Sequence, residues 1–431
     1  MIQLALGMAD QGLSVGGMFL VNVALARTQT KEEYGVFALS YSIFIFLSGL
    51  HNAAVLEPFT VYGSGRYQGR FSSYLRLMLR TNVIAGALLS GVLLLTCWLL
   101  SRFSPAVNVR ALLGLGLTVL FIVTGSFLRR SFYVQRQPAQ AAVTSSVFFV
   151  AVAILLLIAA KIHLLNIFSV FLIVAMGWVV AGLVSFRKLP QSDAQEQFLK
   201  CEPQYWQEHW QYSRWVLATA FVFQFMHQGY YWLVAGFLSV REVGELKAMY
   251  VLIAPVEQVM ISLSFLFLPA LAAKYVAQNM DAFLALWRRY TLLMMGLTIA
   301  FALAVRLVGS FAIHLLYAGK FDELAPMLFL LALVPLLMGM GSTMSDAIRA
   351  VEKPRLVFYA YVSSAVATFV LGVPLVKYFG LRGAVYGMLV SAVAYSGTLA
   401  VAFRINVPKP IALHAEDIYR PGPPVPSSEA L

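Results

Sequence analysis

The sequence predicts an all-α polytopic membrane protein: twelve transmembrane helices arranged as two parallel six-helix halves. Three observations lead there. Hydrophobic residue types make up 60% of the chain and charged types 12%, whereas soluble domains carry about 45–50% apolar and about 25% charged residues. Twelve long apolar runs divide six and six around the longest internal polar stretch. Short motifs recur in the same order, at nearly one spacing, in both halves.

The first six runs fall at about 4–26, 34–56, 77–100, 107–128, 139–160 and 164–186. The second six fall at about 212–238, 246–270, 290–313, 323–345, 356–378 and 382–404. Each approaches or exceeds the roughly 20 residues that cross a hydrocarbon core of about 30 Å. The expected organisation is a six-helix lobe over 1–187, a cytoplasmic linker over 188–211, a second six-helix lobe over 212–405 and a tail over 406–431. Tyr205, Trp206, Trp210 and Tyr212 suit the membrane–water boundary at the end of the linker. The six prolines of the tail, from Pro408 to Pro426, predict disorder. The first run carries Asp10 and Gln11 and leads into Arg27 and Lys31 with no small-residue cleavage pattern, so no cleavable signal is expected.

Orientation follows from the basic residues. Loops after even-numbered runs, with the tail, hold 20 Lys and Arg, and loops after odd-numbered runs hold 10. The excess places the even loops and both termini in the cytoplasm, which also accounts for the formal charge of +12 without nucleic acid. The repeat is read from two pairs of motifs. Lys31-Glu32-Glu33-Tyr34-Gly35 answers Val240-Arg241-Glu242-Val243-Gly244 at an offset of 209, and Arg136-Gln137-Pro138 answers Glu352-Lys353-Pro354 at 216. Six runs per half make the repeat parallel, about an axis along the membrane normal.

Polar side chains inside the runs are the candidate functional residues, because a charge at mid-bilayer is costly and faces a partner or a wet cavity. Glu257 lies about ten residues into the eighth run, near 15 Å of rise and hence near the midplane; it is read as a functional carboxyl or as a protonated acid bonded to a neighbouring helix. In the seventh run Gln224, His227, Gln228 and Tyr231 stand at i, i+3, i+4, i+7, on one face. That stripe suits a hydrated cavity or hydrogen bonding between helices. Asn22 with Gln11 and Ser14 in the first run, and Ser48, His51 and Asn52 in the second, form similar stripes. Asp10 faces a cavity or is solvated from the cytoplasmic side. Arg66, Arg129 and Arg130 are basic groups able to bind phosphate, or topological charges alone.

Several chemistries are excluded from the expectation. No GxxxxGK[ST] loop, GxSxG elbow or HExxH helix occurs, so no nucleotide hydrolysis and no enzymatic role is expected. His227 has no partner at metal-ligand spacing, and the two cysteines, Cys97 and Cys201, form no CxxC or Cys/His cluster. No cofactor or metal is expected.

Asp10-Gln11, Ala26-Arg27, Glu33-Tyr34-Gly35-Val36-Phe37-Ala38, Gln137-Pro138 and Leu381-Arg382-Gly383-Ala384 with Tyr386-Gly387 together resemble a polysaccharide-transporter-type flippase (O-antigen or exopolysaccharide) of the multidrug/oligosaccharidyl-lipid/polysaccharide exporter superfamily. A major-facilitator transporter is disfavoured, since Tyr62-Gly63-Ser64-Gly65-Arg66-Tyr67 replaces that family's loop signature. The resemblance implies two lobes around a central cavity built largely from spans 1, 2, 7 and 8. It implies translocation of a polyprenyl-diphosphate-linked oligosaccharide across the cell inner membrane by alternating access. Implied partners are that lipid-linked oligosaccharide, membrane lipids, polysaccharide polymerase and co-polymerase proteins, and a proton or sodium ion. On this reading Asn22, His51, Asn52, Gln224, His227, Gln228 and Tyr231 contact substrate, Glu257 and Asp10 couple the ion, and Arg66, Arg129 and Arg130 attract the diphosphate. The alternative is a drug/cation antiporter of the same superfamily. A membrane polysaccharide polymerase or ligase is less favoured, because every odd loop has only about 5–12 residues.

Overall fold

The computed structural model describes residues 2–65, 67, 70–104, 108–189 and 203–407. Arg66, most of the expected linker and nearly all of the expected tail lie outside the described residues. All regular structure among the described residues is helical. The first half contains α1 (Ile2–Thr28), α2 (Lys31–His51), a π-helical turn (Asn52–Leu56), α3 (Glu57–Ser64), α4 (Phe71–Phe103), α5 (Arg110–Val134), α6 (Pro138–Lys161) and α7 (Ser169–Phe186). The second contains α8 (Pro203–Phe237), α9 (Val240–Val276), α10 (Met280–Tyr317), α11 (Ala325–Ala350), α12 (Pro354–Ala367), a second π-helical turn (Thr368–Gly372) and α13 (Val373–Asn406).

Ten helical stretches among the described residues are long and apolar enough to cross a membrane. The expected twelve are reached in two steps. The final stretch, Pro354–Asn406, leaves helical geometry at Gly380 (φ 60°, ψ −139°) and folds back on itself. Antiparallel pairs tie the two legs: Ser363 with Thr398 at 2.8 Å, Ser364 donating to the Ser391 carbonyl at 2.9 Å, and Thr368 with Ser391 at 2.8 Å. The twelfth helix is α8, whose polar residues dilute its hydropathy. Apolar side chains on one stripe of α4, Ile84, Leu88 and Leu95 among them, remain exposed, as expected where hydrocarbon is the surrounding solvent.

The repeat reappears as geometry. Arg136 and Glu352, 216 residues apart, are both left-handed, with φ 57° and 63°. After each, the following amide reaches back five residues, Gln137 to the Phe132 carbonyl at 2.8 Å and Lys353 to the Ile348 carbonyl at 3.1 Å. Pro138 and Pro354 then open the next helices, where a missing N–H is harmless. The other motif pair builds the seam between the halves. Thr30 caps α2 in a capping box with Glu33, and Ser239, 209 residues on, caps α9. The two glycines of the motifs face one another: a Cβ at Gly35 would lie 1.8 Å from the Val240 carbonyl oxygen, and one at Gly244 would lie 2.6 Å from that of Lys31.

Ionic and polar contacts complete this seam. Lys31 pairs with Glu245 at 3.4 Å and with Glu323. Lys320 donates to the carbonyls of Ala26, Arg27 and Gln29 at 3.0, 3.1 and 2.5 Å, satisfying the open end of α1. Burial, and next the Lys31 charge, lowers the pKa of Lys320. Arg27 donates to the Leu315 and Leu316 carbonyls of α10, and Tyr34 and Phe321 meet edge to face beneath. All these contacts lie at odd-loop ends of the helices.

Candidate functional site

The polar residues of the spans gather into separate constellations rather than one chamber. The first surrounds a cavity of about 220 Å³ inside the first half, lined by Ser14, Tyr41, Ser48, His51, Asn52 and Trp178 with further apolar side chains. His51 and Asn52 are thus brought to one cavity. His51 Nε2 is buried with no hydrogen-bond partner among the described residues, and Asn52 begins the π-helical turn, an insertion that re-aims the side chains around it. Asn52 Oδ1 accepts from Arg130 Nη2 at 3.1 Å.

Beside it, α5 and α6 enclose Asp10. Arg129 Nη1 approaches Asp10 Oδ2 at 2.8 Å, the Tyr133 hydroxyl donates to the same oxygen at 2.5 Å, and Ser145 donates to Oδ1. The carboxylate is 0% exposed. The structure therefore joins an expected coupling acid to an expected phosphate-attracting base. Asp10 neutralises the Arg129 charge, and Arg130 is turned to Asn52. Asn22 enters neither group: it accepts from the Tyr34 hydroxyl at 3.2 Å and donates to the Met18 carbonyl at 2.7 Å, within the α1–α2 packing.

The α8 stripe sits between the halves, because α8 packs on α2 as well as on the second half. Its linker end is fixed by Tyr212 donating to Glu57 at 3.4 Å and Ser213 donating to the Ala54 carbonyl at 3.2 Å. Gln224 lies against Gly49 of α2, where a Cβ would meet its amide nitrogen at 2.1 Å. His227 packs on the Phe223 ring, centroids 4.4 Å apart. Gln228 is half-buried on the same face. Tyr231 is 4% exposed, and its hydroxyl has no partner among the described residues.

Tyr231 leads into a second constellation, centred on α9. Glu257 accepts from the Tyr250 hydroxyl at 2.6 Å. The Lys247 ammonium lies 4.6 Å from the ring centroid of Tyr41 and 5.8 Å from that of Tyr231. Lys247 and Tyr250 went unrecognised in the sequence, although Lys247, Tyr250 and Glu257 stand at i, i+3 and i+10, a spacing that puts them on one helix face. A third group was also missed. Asp346 of α11 is 0% exposed and takes the Tyr290 hydroxyl at 2.8 Å and the Arg349 guanidinium at 2.5 Å. In the sequence it stands directly after the tenth apolar run, 323–345, and so reads as a loop residue.

No family model matches the sequence, and no curated protein matches it. Solved structures do match the fold. An inward-facing multidrug resistance MATE family transporter of the MOP superfamily aligns with TM-score 0.76 at 12% identity, over 92% of this chain and 94% of that one. An outward-facing structure of a multidrug resistance MATE family transporter gives 0.64 at 13% identity, over 94% of each. A MOP superfamily transporter from Pyrococcus furiosus, for which a reversed polarity of the binding pocket suggests a different function, also gives 0.64, at 12% identity over 94% of each chain. The fold of this chain is that of the MATE transporters, two six-helix lobes, and the neighbours are transporters rather than enzymes.

Proposed function

We propose that this chain is an alternating-access membrane transporter that exports an organic cation in exchange for a proton or a sodium ion. The reading rests on two repeated lobes keyed together at their odd-loop ends, with Lys247 meeting rings of both halves, Tyr41 and Tyr231, and Glu257 further along the same helix. Such an arrangement suits a site that opens to one side at a time. The higher TM-score against the inward-facing neighbour than against the outward-facing one supports an inward-facing state. The odd loops are then periplasmic, and the even loops, the 188–211 linker and both termini are cytoplasmic, in an inner membrane. Glu257 is the coupling carboxyl, since it accepts from the Tyr250 phenol and makes no ion pair among the described residues. Asp10, already closed by Arg129, Tyr133 and Ser145, holds the first lobe together.

The test is gradient-driven efflux of a cationic dye from proteoliposomes. Wild type is expected to move the dye and Glu257→Gln to lose at least about tenfold in rate, the scale of one essential proton-transfer group. Full-rate efflux by Glu257→Gln would remove the coupling role, and no efflux by wild type would remove the reading.

A second reading, translocation of a lipid-linked oligosaccharide, is favoured by the sequence motifs and by Arg130 with Asn52 beside the first-lobe cavity. In that reading polymerase and co-polymerase proteins are partners and Gln224, Gln228 and Asn52 meet sugar hydroxyls. The first-lobe cavity of about 220 Å³ is too small for such a headgroup, being below the roughly 300–1,000 Å³ of ordinary small-molecule pockets. The glycan would need the inter-lobe cleft. Complementation of surface polysaccharide export in a flippase-null strain distinguishes the two.

A further inference from the structure

Lys247 is an ammonium without an acceptor. It makes no hydrogen bond or ion pair with any described residue, and what it meets instead are two ring faces. The rings come from different halves: Tyr41 from α2, and Tyr231 from α8. Tyr41 is braced by Phe37 and Phe44, with centroids 5.7 and 5.8 Å away, and Tyr231 meets Tyr250 edge to face at 6.4 Å. The Tyr231 hydroxyl, buried and unpartnered, adds an unfilled polar group to the same space. Glu257 faces it from further along α9, held by Tyr250. Tyr41 also lines the first-lobe cavity, so the cavity and this group share a wall.

Aromatic faces with a nearby carboxylate attract cations, and desolvation strengthens the attraction. Resting on the antiporter reading, we propose that Tyr41 and Tyr231 form a cation cage, that Lys247 is its tethered occupant in this conformation, and that an organic ammonium or phosphonium substrate binds by displacing it. The displaced side chain swings along α9 toward Glu257, which gains a counter-charge as the substrate settles. Because the rings belong to different halves, parting of the lobes at the odd-loop face takes the cage apart and releases whatever fills it. The returning lysine then blocks rebinding from that side.

Equilibrium binding of tetraphenylphosphonium to the purified full chain tests this. Removing the competitor in Lys247→Ala is expected to tighten binding about tenfold, within the range of a desolvated cation–ring contact. Lys247→Arg, which restores a tethered cation, is expected to return affinity to within about twofold of wild type, the difference between two cations over the same rings being small. Adding Tyr41→Leu to Lys247→Ala is expected to abolish the gain. Unchanged or weaker binding by Lys247→Ala, or a gain that survives Tyr41→Leu, overturns the cage while leaving the antiporter reading intact if wild type still binds. Absence of binding by wild type with tight binding by Lys247→Ala supports the cage, and absence in both overturns cage and reading together.

Discussion

Among the described residues, each half of the molecule buries one aspartate completely and holds it with an arginine and a tyrosine, yet the two arrangements do different mechanical work. Asp10 draws its partners from elsewhere in the chain: Arg129 and Tyr133 from α5 and Ser145 from α6, so one carboxylate ties three helices. Asp346 is held by Arg349 one turn along its own helix, and only Tyr290 of α10 brings in a second element. The arginines differ too, with Arg129 17% exposed and Arg349 40%. At the offset of 216 the repeat places Arg130 at the position of Asp346. Equivalent places in the two halves therefore carry opposite charge. The helices follow the repeat, and the buried polar links do not.

Deleting the acids separates the two arrangements most. Asp10→Ala strands a largely buried guanidinium, and a loss of about 3–5 kcal/mol is expected, the cost of breaking a buried pair. Asp346→Ala frees an arginine already near the surface, and about 1–3 kcal/mol is expected. Thermal unfolding of the detergent-solubilised chain reads both, and equal losses would break the distinction between a three-helix tie and a local one. Tyr133→Phe and Tyr290→Phe each remove one donor from a carboxylate that keeps its arginine, so about 1 kcal/mol apiece is expected. The smallest effect is expected at the seam, where Lys31→Met breaks pairs with Glu245 and the exposed Glu323 and costs at most about 1 kcal/mol. That loss should shrink in high salt, whereas the Asp10 loss should not.

Much of the fold was legible because it rests on residue type and spacing. The runs at 356–378 and 382–404 already bracket Gly380, where the structure turns, and Pro138 and Pro354 mark helix starts that the structure places identically. The stripe Gln224, His227, Gln228 and Tyr231 does share a face of α8. What escaped was contact between distant segments. Periodicity on α1 puts Asn22 on the polar stripe of Gln11 and Ser14, but only packing reveals that Tyr34 takes it up. Arg129, Lys31 and Lys320 counted alike as topological charges, although one neutralises Asp10, one joins two lobes and one caps α1. Lys247 was hidden for the same reason. A basic residue near a span end reads as an orientation signal until rings from two helices are seen beneath it.

The paired glycines of the seam carry a final consequence. Gly35 and Gly244 leave no space for even one methyl group, because the carbonyl oxygens opposite them are backbone and cannot step aside. An alanine at either position would act as a wedge at the pseudo-dyad, holding the lobes ajar without altering any charge. On the antiporter reading proposed above, such a variant would favour the opposite-facing state by geometry alone.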